Sequence, residues 1–287
     1  MTKLFALDGN SMKLDGGAMF GNAPKVMWSK WCVPDEQNRM TMSCRSLLIQ
    51  DENKNILCDA VGGAFFSPKL RDRYGVVESE HVLLRSLAKI GLSDSDIDFV
   101  ILSHLHFDHC GGLLSAWNER EELRLLFPNA RFLVSKTGWE RALHPHFRDQ
   151  ASFPENVIQM MAASGRLEII NSDASALLGK KYRFILSNGH TPGLLSTELT
   201  TEEGKLIYVS DLIPGTPWLH LPITTSYDRF PEELVNEKQE LLQYVCKNQV
   251  QLFYVHDNST AVSRVAKDEK GRFCATDICP SFGRDEF

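Results

Sequence analysis

The chain has 287 residues, 43% apolar and 24% charged, with 31 basic and 37 acidic side chains and a formal net charge of −6. Such a chain can bury a sizeable core, which excludes a disordered or fibrous protein. The acidic excess argues against a main task of gripping nucleic-acid phosphates or an anionic membrane, so the expected partner is a small molecule. The opening segment MTKLFALD lacks the apolar region and cleavage site of a secretory signal. No run approaches the roughly 18 apolar residues of a transmembrane helix. The seven cysteines are odd in number and widely spaced, with no Cys-x-x-Cys pair, and read as reduced thiols of a cytoplasmic protein.

No repeat, low-complexity run or composition shift marks a linker. The expectation is therefore one domain over 1–287, with an N-terminal extension over 1–43 and a lid segment over 135–165. Residues 46–50 and 56–58 form a predicted hairpin across the polar turn 51–55. A helix is predicted over 78–90, with Val82, Leu83, Leu87 and Ile90 near one face and Gly91 as its stop. The β-branched run 98–103 leads straight into His104. The segment 135–165, with Trp139, His144, His146, Phe147, Phe153 and paired Met160-Met161, is expected to be part helix and part excursion. The run 182–186 alternates and turns through Ser187-Asn188-Gly189 to His190, while 205–209 stops at Ser210-Asp211. Pro231 opens a helix with Glu232 and Glu233 in its first turn and Leu234, Leu241, Leu242 and Val245 toward the core. Last, 251–255 delivers His256. Strands mixed with covering helices predict an α/β layered fold.

His104-Leu105-His106-Phe107-Asp108-His109 packs four potential metal ligands into six residues directly after a buried strand. Imidazoles two apart can turn toward one ion while an acid and a third imidazole farther round the loop face a second. Gly111-Gly112 then lets the backbone bend. His190, Asp211 and His256 arrive independently at three other strand ends, where a rigid scaffold holds loops in place. These seven ligands suit two divalent ions sharing one carboxylate. Zinc is the first expectation, and manganese, iron or cobalt are chemically acceptable to the same donors. His81 and His220 read as structural or solvent-facing, and His144 and His146 as lid residues.

The cluster resembles the H-x-H-x-D-H signature of the metallo-β-lactamase superfamily, and Gly189-His190-Thr191-Pro192-Gly193 resembles its G-H-T-P-G segment. The likeness runs from about residue 44 to about 260, through Asp59-Ala60-Val61-Gly62, Ser210-Asp211 and Val255-His256-Asp257. It implies a four-layer αβ/βα sandwich, with two mostly antiparallel sheets and helices outside. It also implies one ion on His104, His106 and His190, a second on Asp108, His109 and His256, and Asp211 bridging. Within the superfamily, Leu14-Asp15-Gly16-Gly17-Ala18-Met19-Phe20-Gly21, Trp28, the 211–214 stretch and Tyr227-Asp228 resemble quorum-quenching N-acyl-homoserine lactonases of the YtnP type and the related methyl parathion hydrolases. By this likeness Met19, Phe20 and Trp28 face substrate, and the chain is a homodimer. Smaller lactonases of the group carry a substrate-holding tyrosine three positions after the bridging aspartate. Pro214 stands there in this chain; Tyr227 is a candidate for that space, the alternative being a loop aromatic that packs against the sandwich.

Two neighbouring divalent ions keep hydroxide available near neutral pH, so the predicted chemistry is attack of a metal-bridging hydroxide on the carbonyl of an ester or lactone, with Asp108 orienting it or passing a proton. Lactone opening is the first reading. An aryl esterase or phosphotriesterase, or a thioester hydrolase of the same fold, is the alternative.

Overall fold

The computed structural model describes residues 2–281; Met1 and 282–287, the end of the C-terminal tail, lie outside the described residues. Among the described residues the strands run β1 (Lys3–Asp8), β2 (Met12–Asp15), β3 (Arg39–Met42), β4 (Arg45–Asp51), β5 (Lys54–Cys58), β6 (Phe99–Ile101) and β7 (Arg131–Ser135). They continue as β8 (Leu167–Ile170), β9 (Tyr182–Ser187), β10 (Leu194–Thr201), β11 (Gly204–Tyr208), β12 (Gln251–Phe253), β13 (Val262–Lys267) and β14 (Phe273–Cys279). The chain divides into two compact units, 2–12 with 43–172 and 13–42 with 173–281. The stretch expected as an N-terminal extension is thus built into both, and its first strand is an edge of a sheet.

The first unit holds a six-stranded sheet in the order β1-β4-β5-β6-β7-β8. The predicted hairpin is β4/β5, with Leu47 opposite Cys58 and Glu52 taking a φ of 57° in its turn. In this sheet three of the five pairings are parallel, β5/β6, β6/β7 and β7/β8, so it departs from the mostly antiparallel expectation. The connections explain this: strands that follow one another through long helical crossovers return in the same direction. Parallel strands are covered on both faces. Accordingly Ile56, Leu57, Val100, Ile101, Phe132, Leu133 and Val134 on β5, β6 and β7 are all buried without alternation.

The second unit carries a six-stranded sheet in the order β14-β13-β12-β11-β10-β9. Here the antiparallel expectation holds, except for β11/β12, which are joined through the helix Pro231–Asn248 and pair in parallel. That helix buries Leu234, Leu241, Leu242 and Val245 as the spacing predicts, and also Lys238. The helix predicted over 78–90 spans Val82–Ala88, because the His81 ring accepts from Leu84 N–H and caps it while Glu78 binds Ser11. The segment 135–165 contains the helices Lys136–Leu143 and Glu155–Ala163, and the second buries Val157, Ile158 and Met161. No described helix is long and apolar enough to cross a membrane. Among the described residues none of the seven cysteines forms a disulfide.

Candidate metal centre

In the first unit, β6 ends at Ile101, and the backbone then brings Ser103, His104 and His106 to the start of a short helix, Phe107–Cys110, that carries Asp108 and His109. His104, His106 and His109 are buried. The organising group is Asp59, fully buried just after β5 at a left-handed φ of 59°. Its Oδ1 accepts from the Ser103 amide at 2.6 Å, and its Oδ2 accepts from Ser103 Oγ at 2.6 Å and from His109 Nδ1 at 2.8 Å. Because Ser103 Oγ–H is committed to Asp59, it takes a hydrogen bond from His104 Nδ1 at 3.1 Å. Both rings are thereby held as Nδ1–H tautomers with Nε2 as the lone-pair nitrogen, the form in which imidazole binds a metal. His104 Nε2 lies 3.0 Å from His106 Nδ1, and His109 Nε2 lies 3.8 Å from Asp108 Oδ2.

The second unit builds a matching set. His190 follows β9, Asp211 follows β11 and His256 follows β12, and all three are buried. Asp211 stands between the two histidines, with Oδ2 at 3.4 Å from His190 Nε2 and Oδ1 at 3.2 Å from His256 Nε2. One oxygen toward each ring is the disposition a shared carboxylate requires. Ser210, just before it, takes a φ of 51°, strain of a kind that concentrates at functional sites. His190 Nδ1 donates to Asp228 Oδ1 at 2.8 Å, which again directs Nε2 to the ligand side. Pro214, at the position where a tyrosine would stand, uses its carbonyl to accept from the His256 amide at 3.0 Å. Asp257 closes the turn after His256, accepting from Thr216 Oγ1 at 2.6 Å and the Thr260 amide at 2.9 Å.

The donors in each set suit a divalent cation. Buried imidazoles such as those of His104, His109 and His190, each bound through Nδ1 to a hydroxyl or carboxylate, beside carboxylates such as Asp211 that face an Nε2, are the ligand chemistry of zinc and its neighbours.

The substrate-facing roles expected for the N-terminal segment are corrected. Met19, Phe20 and Trp28 are 4%, 0% and 1% exposed. Phe20 stacks between Trp28 at 5.5 Å and Trp218 at 4.6 Å, and Trp218 Nε1 donates to Met19 O at 3.0 Å. A Cβ on Gly16 would meet the Trp28 ring at 2.3 Å, so what approaches this glycine is the chain's own indole. Gly111 and Gly112 also serve close packing: their backbone is not left-handed, and a Cβ on Gly112 would lie 2.1 Å from the Ala60 carbonyl oxygen. Tyr227 is exposed, its amide donating to Thr225 Oγ1 at 3.2 Å. His81 is structural, and the His220 ring stacks on Trp31 at 5.0 Å. His146 is exposed in the 144–149 turn, its Nδ1 accepting from the Arg148 amide at 3.0 Å.

Sequence reasoning gave no role to Asp59, Ser103, Asp228 or Glu237. Asp59 carried the same signal as Asp211, an acid delivered by a buried apolar run; Ser103 closes such a run beside His104, and Asp228 and Glu237 sit in more polar stretches.

Residues 40–246 match the family described as the metallo-beta-lactamase superfamily, and the chain belongs to it. Among curated relatives it is similar to the N-acyl homoserine lactonase AiiA of Bacillus thuringiensis subsp. kurstaki, at 24% identity over 188 residues, 62% of this chain and 63% of the relative. The chain thus spans under two thirds of that relative's length. A probable metal-dependent hydrolase from Staphylococcus aureus superposes with a TM-score of 0.85 at 25% identity, covering 97% of this chain and 98% of the other. AidC, a dizinc quorum-quenching lactonase solved with a product, N-hexanoyl-L-homoserine, superposes with a TM-score of 0.77 at 22% identity, covering 97% and 95%. The mixed α/β architecture is that of the metallo-β-lactamase fold.

Proposed function

We propose that this protein is a dinuclear-metal hydrolase that opens lactone rings, with N-acyl-homoserine lactones as its substrate class. The observation that carries the reading is the pair of buried ligand sets, above all Asp211 between two imidazoles, in a chain whose curated relatives are N-acyl homoserine lactonases. In this reading His104, His106 and His190 hold one ion, Asp108, His109 and His256 hold the other, and Asp211 is shared. Bound divalent ions supply Lewis acidity toward a carbonyl oxygen and make water a ready nucleophile near neutral pH.

The remaining work falls to the chain. Asp59 and Asp228 hold imidazoles in the ligating tautomer. In this reading Asp108, whose side chain keeps 14% exposure while its neighbour His109 has none, takes a proton from attacking water and returns it to the leaving alkoxide. Tyr227, exposed on its loop, offers a hydroxyl to the substrate carbonyl. A homodimer in a reducing cytoplasm completes the proposal.

The test is a parallel assay of protein loaded with zinc, manganese, iron or cobalt against N-acyl-homoserine lactones, an aryl thioester and an aryl phosphotriester. Lactone turnover is expected, with His106→Ala and Asp211→Ala each losing more than the roughly 10–100-fold typical of an outer-shell partner. No lactone opening in any metal form sinks the reading, and a dominant phosphotriester activity replaces it with the alternative. A Tyr227→Phe variant with unchanged kcat/KM removes that residue from the catalytic set.

A further inference from the structure

His190 is held from two sides by a single stretch of chain. Its backbone is fixed by groups that do not touch the ring. Arg229 N–H donates to the His190 carbonyl at 3.1 Å and Phe230 N–H to the Gly189 carbonyl at 2.8 Å. From the helix Pro231–Asn248, Glu237 accepts from Ser187 Oγ at 2.6 Å, from the Asn188 amide at 2.7 Å and from the Gly189 amide at 3.1 Å. The same helix lies so close that a Cβ on Gly189 would meet Leu234 Cα at 2.4 Å.

The ring is held separately, by Asp228. This carboxylate is 1% exposed; one oxygen takes the imidazole Nδ1–H at 2.8 Å and the other takes the Thr225 amide at 2.6 Å. Lys238, on the helix Pro231–Asn248, is fully buried; burial pulls its ammonium down to about 7, against the pull of Asp228. Lys238 Nζ is itself anchored by the carbonyls of Trp218, His220 and Ile223 at 3.0, 3.2 and 2.7 Å.

We infer that Asp228 is the positioning residue of His190. It fixes the Nδ1–H tautomer and raises the basicity of Nε2, while Glu237 and the 229–230 amides fix the backbone independently. The inference rests on the metal-site reading above. A carboxylate acceptor on the outer nitrogen of a ligating imidazole orients the ring and strengthens the inner nitrogen as a donor, and removing such a partner costs about 10–100-fold in metal affinity.

The test compares the full-length protein with its Asp228→Ala, Asp228→Asn, His190→Ala and Asp228→Ala/His190→Ala variants. Zinc affinity is read by chelator competition, the visible absorption of the cobalt form reports ligand geometry, and circular dichroism melting reports the fold. Asp228→Ala is expected to weaken zinc about 10–100-fold and alter the cobalt spectrum with the cooperative melt retained, and Asp228→Asn to do so less. In the His190→Ala background the Asp228 change should have no further effect on zinc, because the two act as a unit. Wild-type affinity and an unchanged spectrum in Asp228→Ala overturn the inference. So does an equal loss in both backgrounds, the mark of a purely structural role. If Asp228→Ala does not fold, the same criteria apply to Asp228→Asn. A wild-type protein that binds neither zinc nor cobalt refutes the metal-site reading itself, a result distinct from a failure confined to the Asp228 variants.

Discussion

Some buried polar side chains in this protein are held by more than one partner, and this makes them sensitive to pH and substitution. His81 is an instance. Its Nδ1 accepts from the Leu84 amide at 3.3 Å, so its Nε2 carries the proton and donates to the Gly112 carbonyl at 2.9 Å. The ring is therefore neutral, and burial lowers its pKa from the ordinary 6.5, against the pull of the Gly112 carbonyl. Between that lowered value and about 6.5 the unfolded chain binds more protons than the folded one. The stabilisation is thus complete above about 6.5 and lost as pH falls through the folded pKa. Asparagine caps a helix without titrating. His81→Asn should accordingly flatten the urea midpoint between pH 7 and the acid side, by about 1 kcal/mol per pKa unit removed. An unaltered profile would contradict this role.

Among the elements, the short helices Gly16–Phe20 and Lys25–Trp28 show how a motif changes meaning once packed. Neither is long enough to be stable alone. Each is held by the aromatic stack of Trp28, Phe20 and Trp218, in which the Phe20 ring is nearly parallel to both indoles, at 7° and 6°. Phe20→Ala should therefore cost about 3–5 kcal/mol, measured by urea denaturation, as for other buried aromatics. Unchanged stability would restore Phe20 to a substrate-facing position. The helix Pro231–Asn248 gives a second lesson: its apolar periodicity placed Leu234, Leu241, Leu242 and Val245 correctly but passed over Lys238, because a lysine among apolar positions reads as a solvated residue. Three carbonyl acceptors reverse that reading.

For the whole molecule, ions that bind the folded chain and not the unfolded one stabilise it by mass action. Removing metal with a chelator should lower the melting temperature, and restoring zinc should recover it. With ion at about 100 times its dissociation constant the difference is about 2.7 kcal/mol, easily read by calorimetry. Identical melting of the chelated and zinc-loaded protein would count against resident ions.

The candidate ligand residues were legible along the chain because strand ends are local events. An apolar run closed by His104, His190, Asp211 or His256 can be read within a few residues, and the helices Val82–Ala88 and Pro231–Asn248 were equally visible from their spacing. Sheet direction was less so, since the parallel pairing of β5 through β8 depends on how crossovers return. The groups that orient the ligands escaped altogether. Asp59 meets His109 across 50 residues and Asp228 meets His190 across 38, and no local pattern records such meetings. For the same reason the segment holding Met19, Phe20 and Trp28 looked like a substrate wall: hydrophobicity is written in the residues, but whether an apolar surface faces a ligand or Trp218 is decided only when the chain folds back on itself.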